Sequence, residues 1–340
     1  MTYLQEQQRN LPGFDEKTKV TKIEGYLNQM RIFVNGRCNH RCRYPNGIMW
    51  CHSRTEMAGE KGDMRKKNWI MLLDGMKRWR MSSLKIAGME PTIHPHLLDL
   101  LDLTQSYKID DFSITTNGSR LERFLPYLIE RGMTQITVSL HSMDPIIFKN
   151  ITGGSIRPIW EALDVCSEHD IKVKLNVVAL KNLNDDISAL LDYASLKEFE
   201  LKLYQLLWQP HNTREYQKYH IDWREIIQPY VCDWKGLELI EYVDSQRYRY
   251  SFETETGSIV TVNGFDRKDS SKYHLCRTCQ YRNRCEEGLM GFGFETEYNL
   301  KLNPCYLRPE FNFDLKPFLR EEFEKVIGYL NAITSKGGNL

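Results

Sequence analysis

Between residues 30 and 207, short apolar segments alternate with amphipathic ones, and this alternation restricts the fold more than any other feature of the chain. Six segments have the length and apolar character of β-strands, at residues 30–34, 84–87, 111–116, 135–140, 172–180 and 201–207. Amphipathic stretches that predict helices lie near residues 64–81, 96–107, 120–131, 157–169 and 186–196. Such alternation is typical of parallel βαβ units. Six units are too few for a closed barrel, so we predict an α/β fold with a partial (β/α)6 barrel of the TIM type.

The alternation stops near residue 210, and a smaller unit follows. A helix is predicted near residues 222–231, and a last amphipathic helix is predicted over 317–334. Two short runs, 248–252 and 258–263, flank Glu255-Thr256-Gly257 and predict a hairpin. We therefore divide the chain into a lead-in over residues 1–29, the partial barrel over 30–215, and a small C-terminal α+β domain over 216–340.

The charges of the chain nearly cancel, because 46 Lys and Arg residues stand against 45 Asp and Glu residues, a formal net charge of +1. This balance does not indicate a nucleic acid polymer as a partner, and it leaves room for a local basic pocket. The first residues lack the apolar core of a signal peptide, and no apolar run approaches the length of a membrane span. We predict a cytoplasmic protein with no membrane contact.

Seven of the nine cysteines fall into two groups. The members of the groups are Cys38, Cys42 and Cys51, and then Cys276, Cys279, Cys285 and Cys305. The other two, Cys166 and Cys232, stand alone and are most simply small buried hydrophobic residues. Because disulfides do not persist in the cytoplasm, clustered thiols there predict metal centres.

The first cysteine group directly follows the first predicted strand, and barrels of this type carry their chemistry on loops at the C-terminal ends of strands. Grouped thiolates suit a soft metal or an iron–sulfur cluster. Three thiolates would leave one iron of a four-iron cluster without a protein ligand, free to bind a substrate or cofactor. Small and polar residues end the next three strands, and they would hold a polar cofactor at the same barrel mouth.

Together these features resemble the radical S-adenosylmethionine (SAM) superfamily over about residues 30–210. Its usual signature is Cys-x3-Cys-x2-Cys with an aromatic residue before the third cysteine. Cys38-Asn39-His40-Arg41-Cys42-Arg43-Tyr44 matches up to the aromatic residue, and Pro45 then stands where the third cysteine belongs. We interpret residues 45–50 as a six-residue insertion before Cys51, since Pro-Asn-Gly is a strong turn signal. The alternative is that Cys51 is an ordinary buried cysteine, which would leave two ligands and no stable cluster.

The resemblance implies a [4Fe-4S] cluster on Cys38, Cys42 and Cys51 with SAM bound at its open iron. Gly88-Met89-Glu90-Pro91 then corresponds to the Gly-Gly-Glu-Pro motif that contacts the SAM amino group, with Met89 in place of the second glycine. Further residues that resemble SAM-binding positions are Thr116, Asn117, Ser139 and Lys202. Such an enzyme takes one electron from a reductant such as flavodoxin or ferredoxin, cleaves SAM to a 5′-deoxyadenosyl radical, and removes hydrogen from its substrate.

The second cysteine group has the pattern Cys276-x2-Cys279-x5-Cys285, followed after nineteen residues by Cys305. Four cysteines would satisfy a structural zinc ion, so zinc is one interpretation. The pattern also resembles the auxiliary-cluster domains of radical SAM enzymes, the twitch and SPASM types, and this implies a second [4Fe-4S] cluster. Four ligands would close that cluster to substrate, whereas three would leave an iron open to it.

Within the superfamily the chain resembles the MoaA-like enzymes, which cyclise GTP, over residues 136–145, 148–154 and 173–186. Arg31 and Lys174 resemble positions that bind the nucleotide triphosphate there. The chain departs from that group in having four C-terminal cysteines rather than three, and in having Gly293 and Glu295 near the positions of a pair of arginines. Because Glu295 would repel phosphate, we expect a different substrate.

Three hypotheses remain. The first is an enzyme acting on a small molecule, a nucleoside, nucleotide or sugar of a specialised pathway, with an anionic group facing Arg31 and Lys174. The second is a peptide-modifying maturase, which the short lead-in disfavours because it leaves no room for a peptide-recognition domain. The third is a non-catalytic iron–sulfur or zinc-binding relative, to which Pro45 and Met89 would point.

Overall fold

The structure is a computed structural model of the chain. It describes residues 11–23, 29–51, 62–169, 171–230, 234–242, 247–265, 274–286, 289 and 294–335, and every structural statement below concerns these residues. Cys232 lies outside them. No helix in the described part of the chain is long and apolar enough to cross a membrane.

Six parallel strands form the centre of the sheet, and they follow one another in space as they do in sequence. Their bounds are β2 (Met30–Phe33), β3 (Ser83–Ala87), β4 (Asp111–Thr116), β5 (Gln135–Ser139), β6 (Lys172–Ala179) and β7 (Glu200–Gln205). Each strand pairs in parallel with the next. All six predicted strands are therefore confirmed, with ends that differ by no more than two residues.

Further strands extend this sheet at both edges. They are β1 (Lys19–Ile23), β8 (Lys235–Tyr242), β9 (Arg247–Glu253), β10 (Ile259–Phe265), β11 (Phe294–Thr296), β12 (Lys301–Leu302) and β13 (Phe313–Asp314). The predicted hairpin is confirmed as β9 and β10, and β10 also pairs in parallel with β7. At the opposite edge β11 pairs in parallel with β2. Because the sheet runs from β1 to β13 without closing on itself, the barrel is partial, as predicted.

Helices connect the strands. They are α1 (Lys66–Arg78), α2 (Leu97–Thr104), α3 (Leu121–Glu130), α4 (Pro145–Thr152), α5 (Arg157–Ser167), α6 (Ser188–Leu196), α7 (Thr213–Tyr219), α8 (Trp223–Ile227), α9 (His274–Arg277) and α10 (Phe323–Ser335). We did not predict α4, although Asp144 caps its start by accepting hydrogen bonds from the Ile146 and Ile147 backbone N–H groups. The last helix begins at Phe323 rather than at 317, because residues 318–320 form a separate 3₁₀ turn.

The two faces of the central strands differ in chemistry, and this difference creates the site. Along β6 the residues Val173, Leu175 and Val177 are buried against the helices, while the residues between them face the barrel interior. The same alternation on β4, β5 and β7 turns polar side chains inward. The outer face of the sheet therefore supplies the hydrophobic core, and the inner face is left for ligands.

Residues 1–29, 30–215 and 216–340 remain a predicted division of the chain. The sheet is continuous across these predicted boundaries, since β1 pairs with β8, β10 with β7, and β11 with β2.

Candidate active site

Two cavities lie on the inner face of the sheet. The upper cavity, of about 240 Å³, is at the C-terminal ends of the strands, and the lower cavity, of about 150 Å³, is nearer to their N-terminal ends. On β4, β5, β6 and β7, a residue that lines the lower cavity is followed two positions further on by a residue that lines the upper cavity. These pairs are Ser113 and Thr115, Thr137 and Ser139, Lys174 and Asn176, and Lys202 and Tyr204.

The first cysteine group lines the upper cavity. Cys38, Cys42 and Cys51 all contribute to its wall. The Cys38 thiol accepts hydrogen bonds from the His40 backbone N–H (3.4 Å) and from Asn117 Nδ2 (3.8 Å). The sequence therefore brings the three predicted ligands to one cavity despite the stretched spacing between them.

The insertion before Cys51 forms a small hairpin. Gly47 adopts a left-handed φ of 86°, and its N–H donates to the carbonyl of Tyr44 (2.9 Å). The Tyr44 N–H in turn donates to the carbonyl of Ile48 (2.8 Å). The Trp50 backbone N–H then donates to the carbonyl of Cys42 (3.3 Å), so the end of the insertion is bonded to the segment just before it. The turn predicted from Pro-Asn-Gly is present, and it places Cys51 beside the same cavity as Cys42.

The Gly88-Met89 pair follows β3 and also lines the upper cavity. Both residues have left-handed φ angles, 70° for Gly88 and 44° for Met89. A Cβ on Gly88 would lie 2.3 Å from the ring of Phe33, so only glycine fits there. Met89 thus keeps the backbone conformation that a glycine adopts easily, at a local cost of roughly 1–2 kcal/mol.

Glu90 is completely buried and holds the ends of β3 and β4 together. One carboxylate oxygen accepts from Thr92 Oγ1 (2.5 Å) and Thr116 Oγ1 (2.7 Å), and the other accepts from the Asn117 backbone N–H (2.6 Å). Burial raises the pKa of the Glu90 carboxyl, and these hydrogen bonds oppose the rise. Glu90, which resembles a SAM-binding residue, thus orients Thr116 and Asn117 through these hydrogen bonds. Thr116 and Asn117 line the upper cavity.

Two histidines that we did not predict also line the upper cavity, His40 and His141. Burial lowers the pKa of His40 to about 4 and that of His141 to about 3, so both are neutral near pH 7. His141 Nδ1 lies 3.1 Å from the Val178 backbone N–H and accepts its hydrogen bond, which leaves the proton on Nε2. Its place two residues beyond Ser139 was the available signal, because residues i and i+2 share a face at a strand end.

Positive side chains dominate the lower cavity. Its charged residues are Arg31, Lys85, Lys174, Lys202, Arg247 and Arg249, with Asp111 and Glu200. Lys174 pairs with Glu200 at 2.7 Å. Lys85, Lys202 and Arg249 form no ion pair with any residue that the structure describes. Burial, followed by the charges of neighbouring cations, lowers the pKa of both Lys85 and Lys202 well below the usual lysine value.

One residue that resembles a SAM-binding position lies at a different level of the sheet. Lys202 lines the lower cavity and not the cavity that holds the cysteines. It precedes Tyr204 by two residues on β7, and Tyr204 does reach the upper cavity. Arg31 and Lys174, predicted to bind substrate, are both in the lower cavity, and Arg31 lines the upper one as well.

Arg31 is partly neutralised by the residue that we expected to repel phosphate. Its Nε lies 3.1 Å from a carboxylate oxygen of Glu295 on β11, and both side chains are largely buried. The pairing of β11 with β2 sets residues 295 and 31 directly opposite each other. Glu295 therefore weakens the attraction of Arg31 for an anion, whereas Lys85, Lys202 and Arg249 form no ion pair with a described residue and keep theirs.

The second cysteine group gathers in the C-terminal part of the chain. Burial, followed by the charges of Cys285, Cys276 and Cys279, raises the pKa of the Cys305 thiol, so these three cysteines lie near Cys305. Arg308 Nη1 lies 3.8 Å from the Cys279 sulfur and donates a hydrogen bond to it. Next to Cys305, Tyr306 lines the upper cavity. The C-terminal cysteines are thus connected to the wall of the first site.

The residues present fit a cluster with SAM. Three thiols suit iron–sulfur ligation, and the same cavity contains buried polar atoms without a partner among the described residues: Trp50 Nε1, Thr115 Oγ1 and Asn176 Oδ1. Buried polar groups normally have hydrogen-bond partners, so a polar ligand is the natural complement of these atoms. Within the described part of the chain, no three His, Cys, Asp or Glu side chains converge to hold a single metal ion.

Comparison with known proteins agrees with this geometry. Residues 32–194 match the Radical SAM superfamily. The fold is similar to that of Streptococcus suis SuiB, solved with bound S-adenosylmethionine, with a TM-score of 0.56 and 14% identity over 92% of this chain and 69% of that one. Residues 32–194 thus form a Radical SAM domain, and the chain is an enzyme that uses a [4Fe-4S] cluster and SAM.

Its relatives among curated proteins are MoaA-like. A probable GTP 3′,8-cyclase of Thermoplasma volcanium is 28% identical over 236 residues, 68% of this chain and 69% of that protein. The GTP 3′,8-cyclase of Campylobacter jejuni subsp. doylei is 29% identical over 80% of this chain and 81% of that protein. Other GTP 3′,8-cyclases match over 53–57% of their length, little more than half.

Proposed function

We propose that this radical SAM enzyme abstracts a hydrogen atom from a small substrate whose anionic group is bound by the lower cavity. The observation that carries the proposal is that Arg31 lines both cavities, so the two sites adjoin inside one barrel. A substrate held by its anionic end below would present its other end to the upper cavity. Proximity of this kind supplies a large part of enzymatic rate enhancement.

The charge of the lower cavity indicates the substrate class. Lys85, Lys202 and Arg249 converge on it without a carboxylate partner among the described residues, which leaves a net positive site shielded from water. Phosphate groups satisfy several cations at once through charge-assisted hydrogen bonds. We therefore favour a phosphorylated nucleoside or sugar, and the similarity of the chain to GTP 3′,8-cyclases supports a nucleotide.

The residues of the upper cavity take the remaining roles. Cys38, Cys42 and Cys51 would hold the [4Fe-4S] cluster, which together with SAM supplies a 5′-deoxyadenosyl radical. The backbone at Gly88 and Met89, where both residues have a left-handed φ, would approach the ligand closely. Polar groups of Thr116, Asn117 and Ser139 would orient the cofactor.

The four C-terminal cysteines would hold a second [4Fe-4S] cluster. The proximity of the other three cysteines to Cys305 and the hydrogen bond from Arg308 to Cys279 support this role, since a positive donor stabilises a thiolate. A reductant such as flavodoxin or ferredoxin would supply the electron for SAM cleavage. GTP itself is a weaker candidate than its class, because Glu295 neutralises Arg31.

The test is anaerobic reconstitution followed by incubation with SAM and dithionite. We expect about eight irons per chain, as two four-iron clusters require, and formation of 5′-deoxyadenosine. Adding GTP, nucleoside monophosphates or sugar phosphates should identify a compound that accelerates 5′-deoxyadenosine formation, whereas the matching uncharged nucleosides and sugars should not. Bound zinc without SAM cleavage would refute the assignment of the clusters.

A matched pair of variants separates anion binding from the cofactor. Lys202→Met should abolish the acceleration by the phosphorylated compound and leave substrate-free SAM cleavage unchanged. Lys149→Met, which removes an exposed lysine of α4, should change neither. Equal acceleration by charged and uncharged compounds would mean that the lower cavity does not bind substrate.

A further inference from the structure

The hairpin that carries Cys51 is attached to a helix from a distant part of the chain. Asn46, at the tip of the hairpin, donates a hydrogen bond from Nδ2 to Oε1 of Glu215 on α7, at 2.8 Å. Glu215 is buried, with 7% of its surface exposed. A hydrogen bond to a buried carboxylate is stronger than one between neutral groups and costly to leave unmade.

A second contact lies beside the first. The rings of Tyr44 and Tyr219 are stacked, with centroids 5.3 Å apart and an interplanar angle of 14°. The Tyr44 hydroxyl also accepts a hydrogen bond from Asn212 Nδ2 at 3.4 Å. Tyr44 and Tyr219 belong to a small hydrophobic cluster that is separate from the main core. This cluster also includes Trp50, Ile151, Leu180 and Leu206. The end of the insertion is therefore packed at Trp50, whereas residues 45–48 are exposed.

The same helix also touches the second cysteine group. The Tyr216 hydroxyl donates to Oε1 of Glu286 at 3.0 Å, and Glu286 directly follows Cys285. Gln205, at the end of β7, donates to the same oxygen at 3.3 Å. Through Glu215, Tyr216 and Tyr219, the short helix α7 thus contacts both segments that carry the predicted cluster ligands.

We propose that α7 holds the segments of both cysteine sites in place. Asn46 and Glu215 are positioning residues that fix the third thiolate of the SAM site. The spacing of the first group requires such a device. Eight residues separate Cys42 from Cys51, and a free loop of that length would sample many positions for the third thiolate. The two contacts to α7 restrict those positions. This inference rests on Cys51 being a cluster ligand, as proposed above.

The experiment places two like charges at the contact and then removes one of them. Asn46→Asp sets a second carboxylate against Glu215, so it should raise the dissociation constant for SAM on the order of tenfold and speed the loss of iron to a chelator. Asn46→Asp combined with Glu215→Gln restores one donor and one acceptor, and should restore both properties. The readouts are SAM binding, iron retention over time, and the SAM-induced change in the electron paramagnetic resonance signal of the reduced cluster.

Two controls define the specificity of the effect. Glu161→Gln makes the same substitution as Glu215→Gln on the outer helix α5, where Glu161 pairs with Arg157 at 2.9 Å, and should leave SAM binding unchanged. Tyr216→Phe removes only the hydroxyl that contacts Glu286, so it should speed iron loss from the C-terminal site and leave SAM binding intact.

The outcomes separate this inference from the proposed function, because none of the readouts requires a substrate. Wild-type SAM binding and iron retention in the Asn46→Asp variant would overturn it. So would a double variant that folds and yet remains as impaired as the single variant. If the single variant fails to fold, recovery of folding and SAM binding in the double variant would still locate the defect at the contact between Asn46 and Glu215.

Discussion

Replacing Lys202 with methionine should stabilise the ligand-free protein while removing its affinity for anions. Lys202 lies inside the barrel, with Nζ 5.1 Å from the centroid of the Tyr204 ring and no ion pair to any described residue. Burial, followed by the charges of Arg249, Lys174 and Arg31, holds its pKa well below the usual lysine value. Methionine has a similar length and no charge, so the substitution removes the repulsion with little change in packing.

The magnitude follows from the linkage between proton binding and folding. In the unfolded chain a lysine releases its proton near pH 10.4, whereas in the folded protein Lys202 releases it at a lower pH. Between these two pKa values the unfolded chain binds more protons, so the wild-type stability rises with pH. The gain from Lys202→Met is therefore greatest below the folded pKa and shrinks by up to about 1.4 kcal/mol per pH unit as the pH rises through this window.

Urea unfolding of the ligand-free protein at several pH values between 7 and 10 measures this gain, provided that the slope with denaturant is unchanged. Sulfate binding, followed by calorimetry, measures the anion affinity, because sulfate keeps its charge over this range. Lys149→Met on the surface of α4 is the control for removal of a lysine, and should alter neither property. A destabilised Lys202→Met variant, or a gain that does not depend on pH, would refute the reasoning.

Three further substitutions probe the upper cavity. Glu90→Gln should lower the free energy of unfolding by about 1.5–3 kcal/mol in urea titrations. In either orientation the amide NH2 would face a backbone N–H, that of Thr92 or that of Asn117, which now donates to a carboxylate oxygen. Unchanged stability would show that Glu90 does not hold the ends of β3 and β4 together. Gly88→Ala should cost about 2–5 kcal/mol by the same assay, since the left-handed φ and a Cβ 2.3 Å from Phe33 both oppose it, and a smaller cost would show that the ring moves aside. Cys51→Ala should reduce the iron content from about eight to about four per chain and abolish SAM cleavage, and turnover at the wild-type rate would exclude Cys51 as the third ligand.

The strand pattern of the barrel could be predicted from the sequence because it is encoded locally. A strand with one face against helices and one face inward alternates in burial. β6 shows this alternation along its whole length, and β7 shows it from Glu200 to Tyr204. The hairpin of β9 and β10 was equally local. The pairing of β11 with β2 was not, because it joins segments more than 260 residues apart and depends on how the sheet closes.

For Lys202, the sequence predicts which face of the sheet the side chain lies on, but not which of the two cavities it lines. The alternation along β7 predicts that Lys202 and Tyr204 share the inner face, and they do. Lys202 is paired with Asn176 of β6, which lines the upper cavity, and yet Lys202 itself lines the lower one. Which cavity a side chain reaches depends on the shape of the folded sheet around it, and the alternation along a single strand does not predict that shape.

Glu295 stands near a position where the MoaA-like enzymes have an arginine, and this difference from them was visible in the sequence. The ion pair that Glu295 forms with Arg31 was not. The carboxylate was expected to repel an anion, and its position opposite Arg31 turns that repulsion into a buried ion pair. Breaking a buried pair leaves one charge uncompensated, so Glu295→Gln would destabilise the protein while freeing Arg31 for an anion. The sign of the effect on substrate affinity is therefore opposite to the sign of the effect on stability.

The same opposition extends to the whole inner face of the sheet. Its cations repel one another, and Thr115 and Asn176 have buried oxygens without partners in the described residues, so this face weakens the ligand-free fold. The outer face compensates with the hydrophobic contacts of residues such as Leu175 and Val177, which are fully buried. A ligand that supplies negative charge and hydrogen bonds to the inner face should consequently stabilise the protein as it binds, because it satisfies the groups that folding left unsatisfied.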